Sequence, residues 1–138
     1  MSKFMGGYNC AQSVFSAFCE DLGMDQEAAL KMACGFGAGM ARKGEVCGAV
    51  TGGILALGAR YGRGENDDRT ATETTYAKTR QLMDQFAARH GSCLCKALLN
   101  GADLTTEEGQ KSFRENDLLN QVCKPCVQSA VEIVETIM

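Results

Sequence analysis

Apolar side chains recur along this chain at the three- and four-residue spacing of an α-helix, and no segment alternates with the two-residue period of a β-strand. Asn9 is a good N-cap, the apolar positions after it keep the helical spacing to Leu22, and Gly23 ends that helix. Asp25 caps a second predicted helix that ends near Cys34. The pattern predicts an all-α fold.

The rest of the chain continues this helical pattern. A glycine-rich apolar helix is predicted from Cys47 to about Tyr61, and a long amphipathic helix from Asp68 to His90. Further helix starts are indicated by capping residues and by a proline suited to a first turn: Ser92, Thr105 paired with Glu108, and Pro125. We therefore expect a bundle of about six or seven helices.

Glycines are concentrated in the middle of the chain, where ten of the sixteen lie within residues 35–64. The stretch Gly35–Gly39 predicts a turn that permits tight packing. Further on, Gly48, Gly52 and Ala56 fall on one face of the predicted third helix, and a face so poor in side chains lets another helix approach closely. The third helix is therefore predicted to lie at the centre of the bundle.

Length and charge narrow the classes of function. A chain of 138 residues can bury a core without disulfides, so we expect one domain, residues 1–138. With 14 basic and 17 acidic side chains and no basic cluster, nucleic-acid binding is not expected. The longest uncharged run, Val46 to Ala59, is too short to span a bilayer, so no membrane insertion is expected. The start, MSKFMGGYNC, has no signal-peptide core, which favours a cytoplasmic protein.

Eight cysteines are the most informative residues, because a reducing cytosol favours metal-binding or redox roles over disulfides. Any single cysteine can also be a small buried hydrophobic residue. Helix N-termini offer free N–H groups and a positive dipole end that stabilise thiolates. Six of the eight fall at four such predicted positions: Cys10; Cys47; Cys93 and Cys95; Cys123 and Cys126. A shared chemical purpose is therefore predicted for these thiols.

Local cysteine spacing leaves the chemistry open. Cys93 and Cys95 form a CxC pair, and residues 123–126, CKPC, form a CxxC pair, but structural zinc usually uses two CxxC pairs that lie closer together. The CKPC stretch resembles the dithiol of thioredoxin-like enzymes, although no βαβ pattern surrounds it. The spacing of the cysteines alone does not decide between zinc binding and dithiol chemistry.

Residues 47–52, CGAVTG, match every fixed position of a CGAxxG motif. Nearly the whole chain resembles the family of redox-active proteins that is named for this motif and for four cysteines. Similar stretches outside the motif are Asn9 to Gln12, Gly35 to Gly39, Gly91 to Leu99 and Val122 to Ala130. The resemblance implies redox chemistry or a metal centre and names no substrate.

By position, the resemblance implies that the four family cysteines are Cys10, Cys47, Cys95 and Cys123. The remaining four look like additions in this chain: Cys19, Cys34, Cys93 and Cys126. The chain is also similar to the iron–sulfur portion of split-Soret cytochromes, without the CxxCH motif that attaches haem. This second resemblance favours an iron–sulfur cluster.

Three functions stay open. The first is an iron–sulfur protein for electron transfer, with the four family cysteines as ligands. The second is a dithiol–disulfide oxidoreductase whose working pair is Cys123 with Cys126, or Cys93 with Cys95, and in which Cys47 is a further catalytic thiol. The third is a zinc-stabilised helical domain that binds a partner protein. A redox partner protein is expected. The sequence does not decide whether the protein forms a homo-oligomer.

Overall fold

The computed structural model describes residue 4 and residues 6–138, and most of these are helical. The helices are α1 (Cys10–Ser16), α2 (Cys19–Leu22), α3 (Gln26–Ala33), α4 (Gly48–Tyr61), α5 (Arg69–His90), α6 (Cys95–Leu98), α7 (Glu107–Glu115) and α8 (Lys124–Ile137). Three irregular turns complete the description: a 3-10 turn at Cys34–Phe36, a turn at Gly37–Met40 and a π-helical turn at Leu119–Cys123. The described residues contain no strand, only an isolated bridge between Val46 and Leu94. The all-α prediction is confirmed.

Among the residues just described, no helix is both long and apolar enough to cross a lipid bilayer. The expectation about the first ten residues, MSKFMGGYNC, concerns in part residues 1–3 and 5, which lie outside the described part of the chain.

Helix α4 is the central helix, as predicted, and its small residues allow α1 to cross it closely. A Cβ atom placed on Gly52 would lie 2.6 Å from the backbone oxygen of Ala11 and 3.0 Å from Cβ of Val14. On Gly48 it would lie 3.0 Å from the backbone nitrogen of Ala11. No larger residue fits at Gly52 without moving one of the two helices, because the closest atom belongs to the backbone.

A different side of α4 packs against α5 and α8. A Cβ atom on Gly53 would lie 2.8 Å from Cδ2 of Leu82 in α5 and 3.1 Å from Cγ2 of Val134 in α8. Leu82, Val134 and the α4 residue Leu57 are fully buried at this junction of helices. Burial of such side chains stabilises a fold by about 1.5–3 kcal/mol each. The main core therefore surrounds α4.

A second, smaller core lies beside the first. It consists of Cys95, Leu99 and Leu118, with Leu104 and Phe113 packed against them. Its elements are therefore α6, α7 and the chain that leads into the π-helical turn. The two cores meet at Cys123, which packs against both of them.

Several predicted caps are confirmed. Asn9 and Gln12 form a reciprocal capping box at the start of α1, and Asp25 accepts from the backbone N–H of Ala28 at the start of α3. Asp68, which is predicted only as the approximate start of the long helix, also caps α5 by accepting from the N–H of Thr70. These three side chains fix the starts of α1, α3 and α5.

The predicted first helix is in fact two helices. The chain breaks the regular helix at Ala17 and Phe18, so that α1 ends at Ser16 and α2 runs only from Cys19 to Leu22. Gly23, with a φ of 65°, ends α2 as predicted.

Two predicted helix caps are wrong, one by a single residue and the other by two residues. Helix α7 is capped by Thr106, whose hydroxyl accepts from the N–H of Gly109 at 2.9 Å. Thr105 is not the cap because the Asp103 carboxylate holds its backbone N–H and hydroxyl in a local turn. In the same way, Ser92 accepts from the N–H of Leu94 and leaves α6 to begin after Leu94.

Candidate functional site

A cavity of about 270 Å³ lies where the two cores meet. Four thiols from four separate parts of the chain line it, and they are called the cavity cysteines below: Cys10, Cys47, Cys95 and Cys123. The remaining walls are mostly apolar and include Phe4, Leu99, Leu104, Phe113 and Leu119. The structure thus brings together the four cysteines predicted as a set of ligands.

The approach of α1 to α4 places the first two thiols side by side. Cys10 is the first residue of α1, and Cys47 is the N-cap of α4. Gly48 follows Cys47, and a Cβ atom there would lie 3.1 Å from Cβ of Cys10. The glycine after Cys47 therefore leaves room for the close placement of these two cysteines.

A short antiparallel pairing brings the third thiol to the same place. The backbone N–H of Cys47 donates to the carbonyl of Cys93 at 2.7 Å, and the N–H of Cys95 donates to the carbonyl of Glu45 at 2.7 Å. Cys47 and Cys95 are fixed relative to each other by backbone hydrogen bonds rather than by side-chain packing alone. No alternating pattern in the sequence indicates this pairing, which is only a few residues long.

A left-handed backbone segment supports Cys95. Residues 38–42 all have φ between 54° and 71°, and four of these five residues are not glycine. Each such residue costs roughly 1–2 kcal/mol in a left-handed conformation. The one glycine, Gly39, lies against Cys95, because a Cβ atom there would be 2.6 Å from Cβ of Cys95. Backbone strain of this kind is concentrated at functional sites in proteins.

The fourth thiol comes from the π-helical turn. This turn continues directly into α8, and the backbone of both Cys123 and Lys124 is right-handed helical. The prediction that Cys123 and Cys126 lie at a helix N-terminus is therefore wrong, although Pro125 does lie in the first turn of α8. Proline is tolerated there because the π-helical turn alters the backbone hydrogen bonding upstream of it.

The helix N-terminus prediction holds for three of the six cysteines. Cys10 and Cys95 open α1 and α6, and Cys47 caps α4. Cys93 is also outside the predicted position, since it lies in a bend before α6.

Hydrogen bonds favour the thiolate form of Cys47. A hydrogen bond from the thiol of Cys126 lowers the pKa of Cys47, and the backbone N–H groups of Ala49 and Val50 lower it further, against the effect of burial. The same bond, together with burial, raises the pKa of Cys126. Cys126 itself does not line the cavity.

Cys10 and Cys95 hold their protons more tightly than free thiols do. A hydrogen bond to Cys123 raises the pKa of Cys10, and burial and the neighbouring thiols raise it further. Burial, with the charges of Cys47 and Cys123, raises the pKa of Cys95 to about 12. The site therefore combines one readily formed thiolate, Cys47, with two thiols, Cys10 and Cys95, whose ionisation needs a cation to compensate the charge.

The four cavity thiols are spread around the cavity and do not converge on one metal position. Within residue 4 and residues 6–138, no three His, Cys, Asp or Glu side chains converge closely enough to hold a single metal ion. The ligands of an iron–sulfur cluster bind different iron atoms and so are spread around the cluster. The donor set, four soft sulfur ligands in an apolar cavity, fits such a cluster.

The side chains of Cys19, Cys34, Cys93 and His90 do not line the cavity. The thiol of Cys19 is buried and donates to the carbonyl of Phe15, and Cys34 is exposed. Cys93 donates to the carbonyl of Met83 at 3.3 Å. His90 contacts Ser129 and the ring of Phe86.

A family model matches nearly the whole of this chain. The family described as "Putative redox-active protein (C_GCAxxG_C_C)" matches residues 8–137, a range that contains all the cavity cysteines. A relative from Archaeoglobus fulgidus, with the printed name "Uncharacterized protein", is 30% identical over 132 residues, which is 91% of this chain and 81% of the relative. No solved structure matches the chain.

Proposed function

Because this chain belongs to the C_GCAxxG_C_C family of redox-active proteins, we propose that its cavity holds an iron–sulfur cluster and that the protein transfers single electrons. The cavity cysteines are the proposed ligands. The observation that carries the proposal is that four thiols, contributed by α1, α4, α6 and the π-helical turn, line one apolar cavity.

The residues of the chain prepare the cavity for thiolate ligation. Cys47 provides the first thiolate, because the N–H groups of Ala49 and Val50 and the thiol of Cys126 stabilise its negative charge. Cys10 and Cys95 lose their protons only on metal binding, so loading of the site releases protons. When bound, the cluster supplies one-electron oxidation and reduction.

The cavity also lies close to the protein surface, as electron transfer to another protein requires. Tyr8 and Leu119 both line the cavity, and they remain 40% and 42% exposed. Part of the cavity wall therefore reaches the protein surface. This wall is where we expect a redox partner protein to approach.

Protein purified without oxygen is expected to be coloured, because sulfur-to-iron charge transfer absorbs visible light, and to bleach on reduction. We expect the same sample to contain iron and acid-labile sulfide and to lack stoichiometric zinc. The measurement is a visible spectrum before and after dithionite, with metal and sulfide analysis of the same sample. Colourless protein with one zinc per chain would contradict the proposal and support a zinc-stabilised domain.

A second candidate is dithiol–disulfide exchange, which one observation favours. The thiol of Cys126 is hydrogen-bonded to Cys47, whose pKa is lowered, so an attacking thiolate and a second sulfur are in contact. The contact joins Cys47 to Cys126 rather than either pair expected from spacing, Cys123 with Cys126 or Cys93 with Cys95. Metal-free active protein with a Cys47–Cys126 disulfide in peptide maps of the oxidised form would support this candidate instead.

A further inference from the structure

A second hollow, of about 230 Å³, adjoins the cavity of the four cysteines and is called the arginine hollow below. Six residues line it: Ala38, Arg42, Leu104, Gln110, Phe113 and Arg114. Three of these six, Ala38, Leu104 and Phe113, also line the cysteine cavity, so the two spaces share a wall. None of the six is a proposed cluster ligand, and the proposed function gives the arginine hollow no role.

We propose that the arginine hollow binds a small organic carboxylate, with the carboxylate group held by Arg42 and Arg114 and the apolar part of the ligand against Leu104 and Phe113. Such a ligand lies across the shared wall from the cysteine cavity. The inference goes beyond the proposed function, because binding in the arginine hollow does not require a cluster.

The positive charge of the arginine hollow is left without an internal partner. Among the residues that the structure describes, no acidic side chain lines it, and neither Arg42 nor Arg114 forms an ion pair. Nearby acids have other partners: Asp103 accepts from Thr105, and Glu115 pairs with a lysine of its own helix. The arginine hollow therefore favours an anionic ligand.

A third arginine, Arg60, shows the more usual arrangement. Arg60 lines two other hollows, one together with Asp67 and Asp68 and the other together with Asp21 and Glu135. Acidic side chains thus accompany this arginine in both places. Of these three hollows, the arginine hollow is the one that combines two positive charges with no acid.

The chemistry of the lining favours a carboxylate among anions. A guanidinium group is planar and permanently charged, and it can bind a carboxylate through two parallel hydrogen bonds. The wall formed by Leu104 and Phe113 is apolar, and bringing charge against such a wall costs free energy. A carboxylate carries one charge and a phosphate monoester nearly two, so the carboxylate is the better match.

The apolar wall is held in place before any ligand binds. The side-chain amide of Gln110 donates to the backbone carbonyl of Leu104 at 2.8 Å, which ties the loop before α7 to the helix itself. Leu104 and Phe113 both pack against the second core. Small-molecule sites are usually preformed in this way, with mostly apolar walls and a few polar groups that orient the ligand.

The backbone at Arg42 also points to a use for its side chain. This residue has a φ of 71°, a left-handed conformation that costs free energy for any residue except glycine. The backbone alone would therefore favour glycine at position 42. A binding role for the guanidinium group accounts for arginine there.

The test is fluorine NMR of 4-fluorobenzoate titrated with full-length protein purified without oxygen. Wild-type protein is expected to bind it at one site and to bind 4-fluorobenzamide, which has the same shape without the charge, at least tenfold more weakly. Arg42→Gln and Arg114→Gln are each expected to lower the affinity about tenfold, through loss of charge-assisted hydrogen bonds. The matched control, Arg60→Gln, is expected to leave the affinity unchanged.

Four results would overturn the inference: no binding of 4-fluorobenzoate by the wild-type protein; equal binding of the benzoate and the benzamide; unchanged affinity in both Arg42→Gln and Arg114→Gln; and tighter binding of 4-fluorophenyl phosphate than of 4-fluorobenzoate. An equal loss of affinity in Arg60→Gln would also overturn it, because the effect would then come from net charge. Iron is measured in the same wild-type sample. Iron-free protein that still binds 4-fluorobenzoate with these dependences would contradict the proposed function and support this inference.

Discussion

Serine at any one of the cavity cysteines is expected to remove the iron–sulfur centre from the protein. A serine hydroxyl does not ionise at neutral pH and is a poor ligand for iron held among sulfurs. Changes to outer partners of a metal site already cost roughly 10- to 100-fold in affinity, and loss of a ligand is expected to cost more. The measurement is iron and sulfide per chain, with the visible spectrum, after purification without oxygen.

Matched controls for the serine variants come from the same chain. Cys34→Ser changes an exposed thiol, and Cys93→Ser changes a half-buried thiol next in sequence to the site. Both side chains lie outside the cavity, and both variants are expected to keep full iron content. Full iron content in Cys47→Ser protein would contradict the assignment of the ligands and leave the CGAVTG stretch with a role in packing only.

Replacing Gly52 by leucine is expected to destabilise the protein by about 3 kcal/mol or more. Overpacking a core typically costs about 1–3 kcal/mol, and here the obstructing atom is the backbone oxygen of Ala11, 2.6 Å from the new Cβ atom. Relief of that overlap requires α1 to move away from α4. Because Cys10 begins α1 and Cys47 caps α4, this movement also separates two cavity cysteines.

Two alanine variants in the same helix test whether a side chain at Gly52 destabilises the protein. At Gly58 nothing lies within 4 Å of an added Cβ atom, so Gly58→Ala is expected to stabilise α4 by roughly 0.5–1 kcal/mol through the removal of helical glycine. Gly52→Ala is expected to destabilise the protein despite the same gain in helix propensity. Urea unfolding of the two alanine variants and of Gly52→Leu measures all three effects. Equal unfolding midpoints for the two alanine variants would show that the α1–α4 crossing is looser than described.

The close crossing at α4 could be predicted from the sequence because its cause is local. Small residues at Gly48, Gly52 and Ala56 leave one helix face without side chains, and any partner that covers such a face must approach closely. The caps at Asn9, Asp25 and Asp68 were predictable for the same reason, since each bonds to backbone within its own first turn. The prediction that Thr105 caps a helix was wrong because the side chain of Asp103, two residues earlier, accepts a hydrogen bond from the Thr105 N–H.

The geometry of the site depends on contacts that no local pattern in the sequence predicts. Pro125 indicates a first helical turn, but nothing local shows that a π-helical turn precedes it and carries Cys123 into the same helix. The contact between Cys47 and Cys126 joins residues far apart in sequence, and it arises only from the packing of α8 against α4. The left-handed residues 38–42 also have no sequence signal, because four of them are not glycine.

The most direct test of the proposed cluster site is iron anomalous diffraction from crystals grown without oxygen. We predict an iron anomalous peak inside the cavity between the two cores, bonded to the sulfurs of Cys10, Cys47, Cys95 and Cys123. An iron peak bonded to other residues, or an iron-free cavity in active protein with Cys47 and Cys126 joined in a disulfide, would contradict it.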